Sequence, residues 1–184
     1  MTSATVELHA VESTAQREAA QALIGEYLHW VAGIAHANYG LTFDVDAMAK
    51  SDIEDRSKFY PPAGRFYLVQ YAGGYVGVGC LKRLATGLCE VQRMYVQPHV
   101  RGVGAGRQLV QRLLEDAQVL GYTKVRLESL KALTAAHSLY RSVGFREIDP
   151  YSENSMKAYQ PPENLAAYRG SAVFMELTLA GGPR

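Results

Sequence analysis

Along this chain an alternating apolar pattern gives way repeatedly to one that returns every three or four residues, the signatures of strands and of amphipathic helices. Thr5 to Val11 alternates and reads as a first strand. Ser13 and Gln16 have capping-box spacing, and Ala19, Leu23, Tyr27, Trp30 and Ile34 follow at helical intervals. Gly40 ends that helix, and Asp44 opens a second, acidic one that runs to Pro61 and Pro62. From Arg65 the period shortens. RFYLVQYA and GYVGVGCLKRL meet at Gly73-Gly74, and Ala85 to Gly87 turns the chain into LCEVQRMYV, which gives three successive antiparallel strands. Leu109, Val110, Leu113, Leu114, Ala117 and Leu120 then form the stripe of a long helix closed by Gly121. KVRLESL is a strand, ALTAAHSLYRSV a shorter helix stopped at Gly144, FREI a short strand and AVFMELTL the last one. Between them, residues 149–170 carry Tyr151, Tyr159, Tyr168 and two adjacent prolines without a clean period. This stretch reads as a structured loop with at most a turn of helix, and long loops in compact domains are often functional. The terminal AGGPR is expected to fray.

Composition narrows the class. At 184 residues and 48% hydrophobic content the chain is expected to form one domain over residues 1–184. A formal net charge of +1 supplies no basic field, so nucleic acid is not an expected partner. No apolar run approaches the ~18 residues of a membrane span, and the N-terminus lacks the basic start and apolar core of a signal peptide. A cytoplasmic location follows as an expectation. Cys80 and Cys89 flank a hairpin and suit reduced, buried thiols, with a bridge between them left open.

The candidate chemistry centres on Arg101-Gly102-Val103-Gly104-Ala105-Gly106, between a strand ending MYVQP and the long helix. Three glycines in five positions cost backbone entropy and belong where the chain takes special angles or approaches a ligand closely. A helix N-terminus offers unpaired N–H groups, and the glycine loop aims more of them at the same point, which suits an anion. Hydrogen bonds to a charged group contribute roughly 1.5–3 kcal/mol each and the dipole about 0.3–2 kcal/mol, so oriented amides would do most of the holding, with Arg101 adding charge. A nucleotide P-loop needs Gly-Lys-Ser/Thr, but Gly106 is followed by Arg107-Gln108. The dinucleotide fingerprint lacks its third glycine, because Arg107 stands there.

The spacing Arg-x-x-Gly-x-Gly resembles the acetyl-CoA pyrophosphate loop of the GCN5-related N-acetyltransferases (GNAT). The resemblance continues through LGYTKVRLESL, SLYRSVGFREI and AVFMELTL, about the C-terminal two-thirds of the chain. It implies an α+β (α/β/α) fold: a mixed, mostly antiparallel sheet of about seven strands, splayed between strands 4 and 5 and flanked by helices. The acetyl-CoA-binding core would span about 65–149, acceptor-side helices about 13–60, and the variable loop 149–170. Acetyl-CoA is the implied co-substrate, held by Arg101, Gly102, Val103, Gly104, Ala105, Gly106 and Arg107. Main-chain groups of Met94, Tyr95 and Val96 would pair with its pantetheine arm and carbonyl. No metal is implied, and the five histidines show no metal-ligand spacing.

Acetyl transfer to an amine also needs a base and an acid. An alkylammonium near pKa 10.4 must lose a proton, at a cost of about 4.6 kcal/mol at neutral pH, and Glu90 is the candidate to take it. By period two, Glu90, Gln92 and Met94 would share one face of the fourth strand near the splay. The bland alternative pairs Glu90 with Lys82 or Arg83 across the hairpin. Tyr140 matches the family tyrosine that reaches the CoA sulfur and is the candidate acid; otherwise it is a core tyrosine. Leu133 stands where many members have an asparagine, which removes one expected cofactor contact. Glu128 would face the acceptor or pair with a cation. The acids Asp44, Asp46, Asp52, Glu54 and Asp55 would form a solvated face or attract a cationic acceptor. Tyr27, Trp30, Tyr151, Tyr159 and Tyr168 would line the acceptor pocket or pack. Ser129 and Cys89 show no adjacent base in the sequence. The expected function is N-acetyl transfer to an amine by direct attack in a ternary complex, on a small-molecule or peptide acceptor, with a homodimer through the late strands left open. Transfer of another acyl group and a non-catalytic acyl-CoA sensor are the alternatives.

Overall fold

A computed structural model describes residues 4–153, 156 and 159–180. The fraying expected of residues 181–184 and part of the 149–170 loop lie outside the described residues. Among the described residues seven strands form one sheet in the order β1-β2-β3-β4-β5-β7-β6. They are β1 (Glu7–Ala10), β2 (Arg65–Tyr71), β3 (Gly74–Ala85), β4 (Leu88–Val96), β5 (Lys124–Leu130), β6 (Arg146–Ile148) and β7 (Ala172–Thr178). All neighbours are antiparallel except β4 and β5, whose parallel ladder holds only Leu88↔Lys124, Cys89↔Val125 and Glu90↔Arg126. Beyond Glu90 the two strands part, and the wedge between them organises the molecule.

Among the described residues six helices cover the sheet: α1 (Thr14–Tyr39), α2 (Val45–Glu54), α3 (Arg56–Phe59), α4 (Ala105–Val119), α5 (Thr134–Ser142) and α6 (Leu165–Ser171). The box at the start of α1 is complete, with Ser13 Oγ accepting from Gln16 N and Gln16 Oε1 from Ser13 N, and Gly40 (φ 66°) ends the helix. The single acidic helix read from the sequence is two, because Asp55 leaves helical geometry and caps α3 through Ser57 N. The 149–170 loop is more ordered than expected: it contains a 3-10 turn (Pro162–Asn164) and α6.

Two main cores lie on opposite faces of the sheet. Leu109, Val110, Leu113 and Ala117 of α4 pack with Val91, Leu127 and Met175 on one face. Leu23, Ile24 and Leu28 of α1 and Met48 of α2 pack with Leu68, Val78 and Cys80 on the other. Each such fully buried aliphatic side chain contributes about 1.5–3 kcal/mol. A smaller cluster joins Ala35, Leu41, Leu130 and Tyr168 beneath the strand end of β5. Cys80 and Cys89 belong to opposite faces and are free, so no bridge joins them.

Candidate active site

The parity expected of β4 fails at one residue. Arg93 has φ 55°, and the register with β3 jumps between Val78↔Tyr95 and Cys80↔Gln92, so Arg93 and Met94 together oppose Gly79. Glu90 and Gln92 remain on the face of α1 and α2, Arg93 joins them, and Met94 is turned to the α4 side, where its Sδ and Leu109 close over Gly79. The expected sharing of one face by Glu90, Gln92 and Met94 is therefore wrong. Left-handed backbone costs a non-glycine residue roughly 1–2 kcal/mol. Here it is held by the buried pair of Arg93 with Asp52 of α2, Nε to Oδ2 2.5 Å and Nη2 to Oδ1 3.4 Å.

Asp52 is fully buried and also accepts from Lys58 Nζ at 3.1 Å, and Lys58 donates to Ser51 Oγ and Tyr159 OH. Asp44 and Asp55 cap helices, and Glu54 pairs with Lys50. Neither reading of the acidic run therefore fits Asp52, which locks α2 to the bulge of β4.

The wedge opens into a cavity of about 610 Å³. Met94, Tyr95, Val96, Arg101, Gly102, Gly104, Ala105, Gly106 and Arg107 line one end, and Glu90, Glu128, Tyr27, Trp30, Tyr140, Leu133 and Tyr168 the rest. Val103, expected among the cofactor residues, is partly exposed and lies outside this lining. Gly104 is the N-cap of α4 with φ 86°, and no side chain caps the helix. A Cβ on Gly102 or Gly104 would meet no protein atom within 4 Å, so these glycines serve backbone angle and leave open space before the amides. That open, donor-rich cradle fits a pyrophosphate. Arg101 sits over the Trp30 ring at 5.2 Å, while Arg107 reaches Ser142 Oγ at 2.8 Å. On the wedge side the main chain of β4 after Glu90 has no β5 ladder, as a strand-like arm would require.

Glu90 is 3% exposed. Gln92 Nε2 donates to its Oε1, and the Tyr151 hydroxyl donates to its Oε2 at 2.7 Å. Lys82 is its register partner on β3, as the cross-strand reading requires, yet the carboxylate also opens onto the cavity. Tyr151 is in turn pinned by Arg126, whose guanidinium lies 4.6 Å from the ring centroid. Glu128 accepts from the Tyr168 hydroxyl. Both tyrosines were visible in the sequence only as loop aromatics; their carboxylate partners lie 61 and 40 residues away. Tyr140 packs edge-on against Phe145, and its hydroxyl has no hydrogen-bond partner among the described residues. Burial, reinforced by Tyr27, pushes its pKa above the ordinary phenol range. Tyr27, Trp30 and Tyr95 form an aromatic wall with centroids 5.7–6.5 Å apart. Burial and a hydrogen bond to Glu26 push the Tyr95 phenol up to about 12.

Ser129 does have an imidazole beside it, His137 Nε2 at 3.1 Å, which the separation between β5 and α5 concealed. Among the described residues no group of three or more His, Cys, Asp or Glu could hold a metal, and no helix is long and apolar enough to cross a membrane.

A mixed sheet parted between its fourth and fifth strands, with an uncapped glycine cradle at the mouth of the wedge, defines an acyl-CoA-dependent transferase. Residues 17–145 match the model of the Acetyltransferase (GNAT) family, and the chain belongs to that family. It is 34% identical over 118 residues to YjgM of Escherichia coli (strain K12), an uncharacterized N-acetyltransferase, a match spanning 61% of this chain and 71% of the relative. An acetyltransferase of the GNAT family from Staphylococcus aureus Mu50 superposes with TM-score 0.68 at 17% identity, covering 96% of this chain and 100% of the other. The PaiA N-acetyltransferase of Thermoplasma acidophilum, solved in complex with coenzyme A, superposes with TM-score 0.65 at 17% identity over 95% of this chain and 99% of the other.

Proposed function

We propose that this N-acetyltransferase moves an acetyl group from acetyl-CoA to the nitrogen of an amine acceptor by direct attack while both substrates are bound. The observation that carries the reading is the ending of the β4–β5 ladder at Glu90, which leaves the glycine cradle, the free β4 main chain, Glu90 and Tyr140 around one cavity.

The cradle amides of residues 102–107, with Arg101, hold the pyrophosphate, and Met94 to Val96 hold the pantetheine arm by main-chain pairing. Leu133 offers no polar contact where many family members have asparagine, so the grip rests on the main chain. Glu90, oriented by Gln92 and Tyr151, takes the proton that the attacking ammonium must lose, directly or through water. The neutral amine nitrogen forms its bond to the acetyl carbon, the carbon–sulfur bond breaks, Tyr140 donates its proton to the leaving thiolate, and the second proton shed by the acylated nitrogen passes through water to restore Tyr140. A phenol is protonated at neutral pH and can be reprotonated from water; burial raises the Tyr140 pKa further, so the proton leaves only as thiolate charge develops beside it. Two free, buried thiols support a cytoplasmic setting.

Calorimetric titration with acetyl-CoA, ATP and NAD tests the cradle. Selective acetyl-CoA binding, abolished in Gly104→Glu, is expected; a folded protein that binds no acyl-CoA overturns the assignment.

A further inference from the structure

The acceptor end of the wedge has a chemistry of its own. Tyr27, Val31, Phe43, Met48, Leu130 and Met156 supply its apolar lining. Two carboxylates face the same cavity, Glu90 from β4 and Glu128 from β5. The phenols of Tyr151 and Tyr168 donate to them, in the sense in which an ammonium N–H would donate.

The neighbouring cations are engaged. Arg101 and Arg107 stand at the cradle. Arg93 is committed to Asp52 through Nε and Nη2, with Nη1 3.8 Å from Met156 Sδ. Lys58 is shared by Asp52, Ser51 and Tyr159, and Arg126 by Glu176 at 2.8 Å and Glu153 at 3.5 Å. Among the described residues the cations that line the cavity are Arg93, Arg101 and Arg107, so an acceptor carboxylate entering beside Glu90 and Glu128 would meet two like charges, with Arg93 held by buried Asp52 and the other two at the cradle end. Met156 and Tyr168 line this end, and the whole cavity, cradle included, falls in the ~300–1,000 Å³ range of small-molecule sites.

We propose that the acceptor is a small primary amine on an apolar or aromatic body that bears no carboxylate, with its ammonium received between Glu90 and Glu128 and its body against the aromatic wall. The proposal deepens the transferase reading above and rests on it for the assignment of the cavity's two ends. Glu90 serves as base, and Glu128 binds charge without taking the reacting proton.

Trp30 is the single tryptophan and lines the cavity, so its fluorescence reports acceptor binding without turnover. The protein loaded with CoA is titrated with 2-phenylethylamine and with phenylalanine, which differ by one carboxylate, and thiol release from acetyl-CoA is followed in parallel. The amine is expected to bind roughly 100-fold more tightly than the amino acid, since the site must otherwise pair like charges. Glu128→Gln, with an unchanged melting temperature, should weaken amine binding by about tenfold while lowering kcat no more than about threefold. Equal or tighter binding of phenylalanine, or no binding of either compound, overturns the acceptor class. Thiol release with carboxylated amines alone overturns it too while leaving the transferase intact. Selective amine binding without any thiol release does the reverse: the acceptor class stands and catalysis falls.

Discussion

Tyr140 and Glu90 divide the proton traffic because their surroundings differ. The Tyr140 hydroxyl faces a cavity without a protein partner among the described residues, and burial holds its proton. Glu90 has donors on both oxygens, which fix the plane in which the carboxylate meets a substrate proton. Tyr140→Phe should lower kcat by about 10²-fold and leave acetyl-CoA affinity within about threefold. Its raised pKa means that any alkaline decline of kcat below pH ~10 belongs to another group and should persist unmoved in the variant. Glu90→Gln should lower kcat/KM by about 10²–10⁴-fold and shift the pH profile, and a variant of wild-type activity would remove Glu90 as the base. His137 supplies a prediction for stability. Burial, with Arg141 adding to it and Glu147 opposing, lowers its pKa below the usual 6.5. Its ring faces Ser129 Oγ. Below pH 6.5 the unfolded chain binds the proton more readily than the folded one, so stability present above that pH is lost as pH falls toward the folded pKa. The urea midpoint should decline from about pH 7 to about pH 5, and His137→Gln should flatten that decline.

At the scale of elements, the bulge in β4 and the α2 helix depend on one another. Asp52→Asn would leave Arg93 buried without its counter-ion, a loss of about 3–5 kcal/mol. Urea unfolding should show it, and Arg93→Met added to Asp52→Asn should recover part of the loss; a double variant no more stable than the single one would place the cost elsewhere. This junction also marks the limit of what periodicity could say. The strands, the long helix and the glycine loop were legible because their signals are local: alternation, an apolar stripe, glycines before a helix. The bulge was not, since only the pairing with β3 makes Arg93 the extra residue. The burial of Asp52 was hidden for the same reason, because an acid on an amphipathic helix reads as solvent-facing until a distant arginine is placed beneath it. Likewise Glu90 and Tyr140 could be nominated in sequence, but the tyrosines on Glu90 and Glu128 come from a loop without a period.

For the whole molecule, a cleft between two strands that share only three paired positions ties ligand binding to global stability. At about 100 times its Kd, acetyl-CoA should add about 2.7 kcal/mol to the folded state. For a chain of this size that raises the melting temperature by roughly 5–10 °C. A scan with and without acetyl-CoA checks it, and Gly104→Glu should show no shift. The extra residue at Arg93 has a consequence for how such a chain can change in length. Upstream of it, β4 presents Glu90 and Gln92 to the acceptor side; downstream, the same strand presents Met94 and Val96 to the opposite face and feeds the cradle. Removing that residue would leave Gln92, Met94 and Tyr95 opposite Cys80, Gly79 and Val78 in unbroken alternation, so every later position would keep its face and only the tie to Asp52 of α2 would be lost. The extra residue therefore fastens β4 to α2 and leaves the faces that the strand turns to the acceptor and to the cradle as regular pairing with β3 would set them.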